Sequence, residues 1–269
     1  MTPLAACPPA TLAAVQGVLT DIDETVSTEG RLTAEAYGAL EALKAAGLLV
    51  VPVTGRPAGW CDHIARFWPV DAVVGENGAF WMWHDRSGGQ TGGKLRTRFV
   101  QSEAERAEGR HRLEAVRVQV LREVPGAGIA SDQPYRAADL AIDFREDVPP
   151  LPAADVARIV AVFEAHGAHA KVSSIHVNGW FGDYDKLTTA RLMMRELFGV
   201  DLDALRERYL FAGDSPNDAP MFGYFPNAVG MANVGDFAGR LDHQPRWVTS
   251  ARSGAGFVEL ARALLAARR

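Results

Sequence analysis

Apolar and polar positions recur along this chain with two periods, and the changes of period mark out its elements. Val15 to Leu19 is a short apolar run that reads as a buried strand over Gly17–Asp21. From Thr33 to Ala46, Tyr37, Leu40 and Leu43 recur at helical spacing, with Glu35 and Glu41 facing out. Thr33 is the expected cap and Gly47 the expected stop. Leu48–Val53 is a second apolar run, followed by Thr54-Gly55-Arg56-Pro57. Strand, helix and strand within about 35 residues make a βαβ unit, with parallel strands and a right-handed crossover. A helix over Ala58–Phe67 and a strand over Asp71–Val74 are expected to extend the sheet.

The pattern then changes. Ser87–Gly93 reads as a flexible glycine-rich loop, and the next parallel unit comes only about 90 residues later, too far for a bare connection. The intervening stretch reads twice as helix, strand, strand. Its first unit is Glu103–Glu123 with strands near Gly128–Ser131 and Ala138–Phe144. Its second is Ala153–His166 with strands near Ala168–Ser173 and Ile175–Asn178. On the second helix Val156, Ile159, Val160 and Phe163 share a face. Leu140, Ile142 and Phe144 alternate with Asp139, Ala141 and Asp143. Ile175 and Val177 alternate with Ser174, His176 and Asn178. Each strand therefore has an apolar face for helices and a polar face left free, the pattern of a lid. A helix at Lys186–Phe198 and a strand at Tyr209–Ala212 resume the parallel pattern. Asn227–Met231 and Arg246–Thr249 are candidate strands, and Phe257–Ala267 a closing helix. The fold class is α/β: a Rossmann-like parallel-sheet core over residues 1–84 and 183–269, with an inserted α+β cap over 85–182.

Composition narrows the function. A chain of 269 residues with 48% hydrophobic content can bury a substantial core. A net charge of -5 without a basic run gives no nucleic-acid footprint, and no apolar stretch has membrane-spanning length. Two cysteines, Cys7 and Cys61, suggest a reducing compartment, and Cys61 reads as packing. Leu4-Ala5-Ala6-Cys7 resembles a lipoprotein cleavage site but lacks a preceding basic and apolar segment, so it reads as a flexible N-terminus. A cytoplasmic location is expected.

Three polar clusters stand just beyond apolar strands: Asp21/Asp23/Thr25, Thr54/Arg56 and Asp214/Asn217/Asp218. In an open parallel sheet the carboxyl ends of the strands form one crevice, where such clusters can converge. Lys186, opening the helix after the lid, can join them. Singly, each cluster also reads as turn and cap chemistry, and Lys186 as a solvated helix-start residue. Gly213–Asp218 is no calcium loop, since Pro216, Ala219 and Phe225 stand where a ligand, a glycine and a glutamate are needed. His166 and His169 resemble a metal pair, but Gly167 breaks the helix that would align them, so they read as structural.

Taken together, Asp21-Ile-Asp23-Glu-Thr25, Thr54, Lys186 and Gly213-Asp214-Ser215-Pro216-Asn217-Asp218 resemble the four motifs of the haloacid dehalogenase-like (HAD) phosphatase superfamily. The position and pattern of the insertion, with Glu76-Asn77-Gly78-Ala79, are similar to subfamily IIB, the Cof-type and sugar-phosphatase branch. One departure is Glu24, where many relatives have glycine.

The resemblance implies a phosphatase in which Asp21 attacks phosphorus and Asp23 serves as general acid and then base. It implies magnesium held by Asp21, Asp214 and the backbone carbonyl of Asp23, with Asp218 orienting a metal-bound water. Lys186 would supply a second positive charge and Thr54 would hold the phosphate in line. Thr25, Arg56 and Asn217 are further candidates for substrate contact. Ser174, His176 and Asn178, with Asp139 and Asp143, form the candidate cap face for the leaving group; Trp180 and Arg56 could line the entrance or pack at the hinge. The implied substrate is a small soluble phosphate ester, most simply a sugar phosphate, with no nucleic-acid or membrane partner and the oligomeric state open. A phosphomutase and a catalytically silent phospho-sugar sensor are the alternatives.

Overall fold

The structure is a computed structural model describing residues 1–87 and 93–268. Most of the expected glycine-rich loop therefore lies outside the described residues. The chain opens with β1 (Thr2–Pro3), α1 (Pro9–Ala13), β2 (Gly17–Thr20), α2 (Ala34–Ala45), β3 (Leu49–Pro52), α3 (Ala58–Phe67) and β4 (Val73–Gly75). A hairpin of β5 (Phe80–Asp85) and β6 (Lys94–Phe99) follows. Next come α4 (Glu103–Glu123), β7 (Gly128–Ile129), β8 (Leu140–Asp143), α5 (Ala153–Ala165), β9 (His169–Val172) and β10 (His176–Trp180). The chain returns through α6 (Lys186–Phe198), α7 (Leu202–Leu205), β11 (Tyr209–Gly213), α8 (Ala219–Tyr224), β12 (Val229–Gly230), β13 (Trp247–Val248) and α9 (Ser253–Ala266).

The main sheet is parallel throughout, in the order β1-β13-β12-β11-β2-β3. Its central strands are buried on both faces because successive apolar side chains point opposite ways. Val18, Val50 and Leu210 enter one core with Leu40 and Leu43 of α2 and Phe257, Leu260 and Leu264 of α9. Leu19, Val51 and Phe211 enter the other with Met193 and Met194 of α6 and Phe222 of α8. Each such side chain stabilises the fold by roughly 1.5–3 kcal/mol.

The inserted sheet is antiparallel, in the order β7-β8-β10-β9. Leu140, Ile142 and Val177 on one face meet Leu113, Val116 and Val120 of α4 and Ile159 and Phe163 of α5. A smaller seam of Ile22, Cys61, Ile64, Phe80, Ala138, Trp180 and Tyr184 joins this unit to the first.

Several expectations are corrected. The N-terminus is ordered: Thr2 and Pro3 pair with Trp247 and Val248 at the open edge of the sheet, and Leu4 and Cys7 are buried in the first core. Tyr37 is exposed, its hydroxyl donating to the Phe67 carbonyl at 2.9 Å, so α2 buries Ala36, Leu40 and Leu43 instead. The strand near residue 73 meets the main sheet only through a bridge between Val53 and Val74, and otherwise pairs antiparallel with β5. The β5–β6 hairpin was not anticipated; its pairing spans residue 85 and ends at Asp85–Lys94. The polar face of the inserted sheet is not free. Asp139, Asp143, His176 and Asn178 are all buried; His176 and Asn178 line a small cavity with Asp21 and Ser215 of the first unit, while Asp143 accepts from amides of the turn after β8. Ile175 stands in the turn before β10 and lines the cavity below that face, rather than joining the apolar core.

Candidate active site

The carboxyl ends of β2, β3 and β11 lie side by side, and parallel pairing sets Thr20 between Pro52 and Ala212. Asp21 therefore leaves the sheet at its centre, its amide donating to the Ala212 carbonyl at 2.8 Å. The chain turns at once: the amides of Thr25, Val26 and Ser27 all donate to the Ile22 carbonyl. Glu24 at the top of that turn has φ 55°, a left-handed backbone that glycine adopts without strain. Its side chain accepts from the Ser253 hydroxyl at 2.8 Å and its carbonyl from Asn233 Nδ2 at 2.9 Å, which holds the conformation.

Lys186 is the first residue of α6, whose start is capped by Asp185 and Thr188. Its Nζ donates to Asp21 Oδ1 and to Asp218 Oδ1, both at 2.8 Å. Asp218 closes a tight turn after β11, its other oxygen accepting from the amides of Asp214 and Ser215 at 3.1 and 3.3 Å. Asp214 accepts from Thr25 Oγ1 at 3.2 Å and from Asn233 Nδ2 at 2.9 Å. Carboxylate oxygens of Asp21, Asp214 and Asp218 lie within 4.8 Å of one another, all buried.

Three buried carboxylates around one ammonium leave excess negative charge. Burial pushes the Asp21 carboxyl up to about 7, Lys186 opposing and Asp218 and Asp23 adding to the rise. Burial, then Asp21 and Asp218, raise Asp214 well above the usual carboxyl range. Burial disfavours the Lys186 ammonium, but Asp21 and Asp218 outweigh it and hold the charge. A divalent cation suits this donor set: hard oxygen ligands, deficient in positive charge.

Among the expected site residues, Asp21, Asp214, Asp218 and Lys186 thus meet. Asp23 does not join the carboxylate cluster; both its oxygens accept from Arg56 Nε, at 3.0 and 3.1 Å. Thr54 is fully buried, and its hydroxyl accepts from the Arg56 amide at 3.0 Å. Thr25 supports Asp214, as above. Ser174, His176 and Asn178 stand over Asp21, Ser215 and Asn217, around a space of only 20 Å³. That is room for about one water molecule, so this is a closed arrangement. It adjoins a wider mouth of 520 Å³, lined among others by Glu29, Arg145, Ile175 and Phe237. Trp180 is buried at the seam, donating to the Tyr184 carbonyl at 3.2 Å, and does not line the mouth. His166 bonds Gln119 and His169 tilts against Trp180; neither belongs to the carboxylate cluster.

Sequence reasoning missed the charges that join the two units. Arg136 bonds the buried Asp132 and Asp139 and the Gly55 carbonyl, and is itself buried. Glu76 is fully buried and accepts from the amides of Ala58, Ala137, Ala138 and Asp139 at 2.7–3.2 Å. Arg136 is selected by the packing of one unit over the other, and nothing in the sequence marked Asn233.

A parallel, two-faced α/β sheet with an inserted cap over the carboxyl ends of its strands is an architecture shared by a class of hydrolases. Among solved structures the chain is similar to a Thermoplasma acidophilum protein, at 16% identity and a TM-score of 0.68, covering 93% of this chain and 98% of that one. A haloacid dehalogenase-like hydrolase from Bacteroides thetaiotaomicron matches at 13% and 0.59, over 92% and 98%. A sucrose-phosphatase from Synechocystis, solved with sucrose and phosphate, matches at 12% and 0.61, over 93% and 98%. Neither a protein-family model nor a curated protein matches the sequence. The chain has the haloacid dehalogenase-like fold. Among the described residues no helix is long and apolar enough to cross a membrane.

Proposed function

We propose that the protein is a magnesium-dependent phosphomonoesterase that hydrolyses a small soluble phosphate ester, a sugar phosphate, through an aspartyl-phosphate. The observation that carries this reading is Lys186 Nζ, 2.8 Å from both Asp21 and Asp218, within a buried group of three aspartates. Such a group fits a site where a carboxylate must approach a phosphate dianion. The sucrose-phosphatase of the same fold and the polar cap residues over Asp21 support a hydroxyl-rich leaving group. On this reading residues 85–182 act as the cap and 1–84 with 183–269 as the catalytic core, in the cytoplasm.

An oxygen of Asp21 bonds phosphorus as the ester P–O bond breaks. The electron pair stays on the leaving oxygen, which takes a proton from Asp23. Asp23 then accepts a proton from water as that water attacks phosphorus, releasing phosphate and restoring Asp21. Lys186 balances charge on Asp21 and the phosphoryl oxygens, Asn217 faces the cavity over Asp21, and Thr54 is assigned to holding the phosphate in line. Asp21, Asp214 and the Asp23 carbonyl would hold magnesium, with Asp218 beside them orienting a metal-bound water; the ion when bound supplies the further positive charge that repulsion between nucleophile and phosphate demands. Thr25 acts through Asp214, and Ser174, His176 and Asn178 face the leaving group.

The test is phosphate release from a panel of esters. Wild type is expected to turn over at least one sugar phosphate, and Asp21→Asn none while keeping its circular-dichroism spectrum. Chelation is expected to stop turnover and magnesium to restore it. An isomeric sugar phosphate without free phosphate would overturn hydrolysis, and full activity of Asp21→Asn would overturn the nucleophile.

A further inference from the structure

Arg56 is buried beyond β3, its guanidinium 4.8 Å from the Trp60 ring centre, and it meets carboxylates from both units. In the core, Nε donates to both oxygens of Asp23 and Nη2 to Oδ1 at 2.8 Å. Among the described residues no other side chain bonds the Asp23 carboxylate. In the cap, Nη2 also donates to Glu146 Oε1 at 3.2 Å, and Nη1 lies 3.7 Å from Asp132.

Glu146 is itself fixed by the cap. It stands in the turn after β8, where Asp143 accepts from the amides of Arg145, Glu146 and Asp147, each at 2.8 Å. Its second oxygen is 2.9 Å from His176 Nε2 of β10. His176, with Arg56, holds the Glu146 carboxyl down at about 2, so it presents a full charge to Arg56.

A planar guanidinium gripping a carboxylate by two bonds sets the plane of that carboxylate. Here the same guanidinium is held from the other side by the cap. We propose that Glu146, acting through Arg56, positions Asp23 for proton transfer and makes that alignment conditional on cap closure. This rests on the phosphatase reading for the role of Asp23. Opening the cap withdraws Glu146 and Asp132 from Arg56, which loses two of its three carboxylate partners and leaves Asp23 with an unanchored fork. Closure restores the fork while the leaving oxygen is beneath the cap, so the proton goes to the leaving group of a sequestered ester.

The test compares kcat/KM for an alkyl ester, glucose 6-phosphate or whichever sugar phosphate the panel selects, with that for p-nitrophenyl phosphate, whose leaving group needs no proton. Glu146→Gln is expected to lower the alkyl value about tenfold and the aryl value at least fivefold less, with Arg56→Lys showing a larger split of the same sign. Equal losses on the two esters would overturn the positioning role. Amide exchange supplies a second readout: Glu146→Gln should speed exchange at Ser173 and His176 while Ala137–Asp139, held by Glu76, stay protected. Unchanged exchange at Ser173 and His176 overturns the coupling to closure. If wild type hydrolyses neither ester, the phosphatase reading and the role of Asp23 fall, while exchange still decides whether Glu146 holds the cap.

Discussion

At the scale of single residues, the candidate chemistry works against stability. Asp21 has a folded-state pKa of about 7 against an ordinary 3.8, so between those values the folded chain holds a proton that the unfolded chain has lost. Stability therefore falls as pH rises through that window and is greatest below it; Asp214 adds in the same direction. Metal-free protein is expected to melt at a higher temperature near pH 5.5 than near pH 7.5, with magnesium raising the melting temperature more at the higher pH. Asp21→Asn without metal should melt ~2–4 °C above wild type at pH 7.5, the shift that about 1 kcal/mol produces in a chain of this size. A melting temperature that rises with pH without metal would refute the charge balance drawn for this cluster. These residues were legible in the sequence because each stands where a strand stops or a helix starts, and carboxylates there have no reason in a buried sheet. Glu146 and Arg136 were not, because the register of one unit over the other selects them, and that register is not written in local periodicity.

At the scale of elements, helix α6 aims Lys186, and a glycine sets its place. Gly78 has φ 112°, and a Cβ there would lie 2.2 Å from the Asp185 carbonyl oxygen, just before Lys186. Thr189 Oγ1 ties the same helix to the Gly78 carbonyl at 2.7 Å. Gly78→Ala must push the start of α6 away, at a cost of about 2 kcal/mol or more from strain and contact together. We expect a lower melting temperature and at least a tenfold loss in kcat, since Lys186 is carried with the helix; normal kcat would show that its placement tolerates that movement. Helices were read almost to the residue, as at α3, α4 and α6, because capping and 3.6-residue periodicity are local signals. The β5–β6 hairpin was missed for the converse reason. In Lys94–Phe99, Leu95, Thr97 and Phe99 alternate with three charged residues, but the run has only two apolar side chains, both no more than half-buried, so the period-two signal is weak.

At the scale of the whole molecule, the two units meet through an apolar seam, through Arg136 on the Gly55 carbonyl, and through two carboxylates that are held differently, Glu76 and Glu146. At Glu76 one buried carboxylate collects a core amide, Ala58, and three successive cap amides, Ala137–Asp139, with Oε1 serving two donors and Oε2 the other two. Arg56 and Glu146, by contrast, meet beside the open mouth, where Glu146 is only part-buried. If the cap opens, the first place is expected to act as pivot and the second as latch, since four bonds to a desolvated carboxylate open less readily than the Arg56–Glu146 pair near water. Glu76→Gln tests this assignment with little change of shape. Whichever way the amide is oriented, its NH2 faces two backbone donors and leaves them without an acceptor in a buried seam, costing about 2–4 kcal/mol. The variant should lose stability, exchange the amides of Ala137–Asp139 faster, and bind substrate more weakly as the cap loses its fixed axis. Glu146→Gln should do the opposite at those amides and leave them protected. If both variants loosen the same amides equally, the cap has no pivot at Glu76 and moves as one detached body.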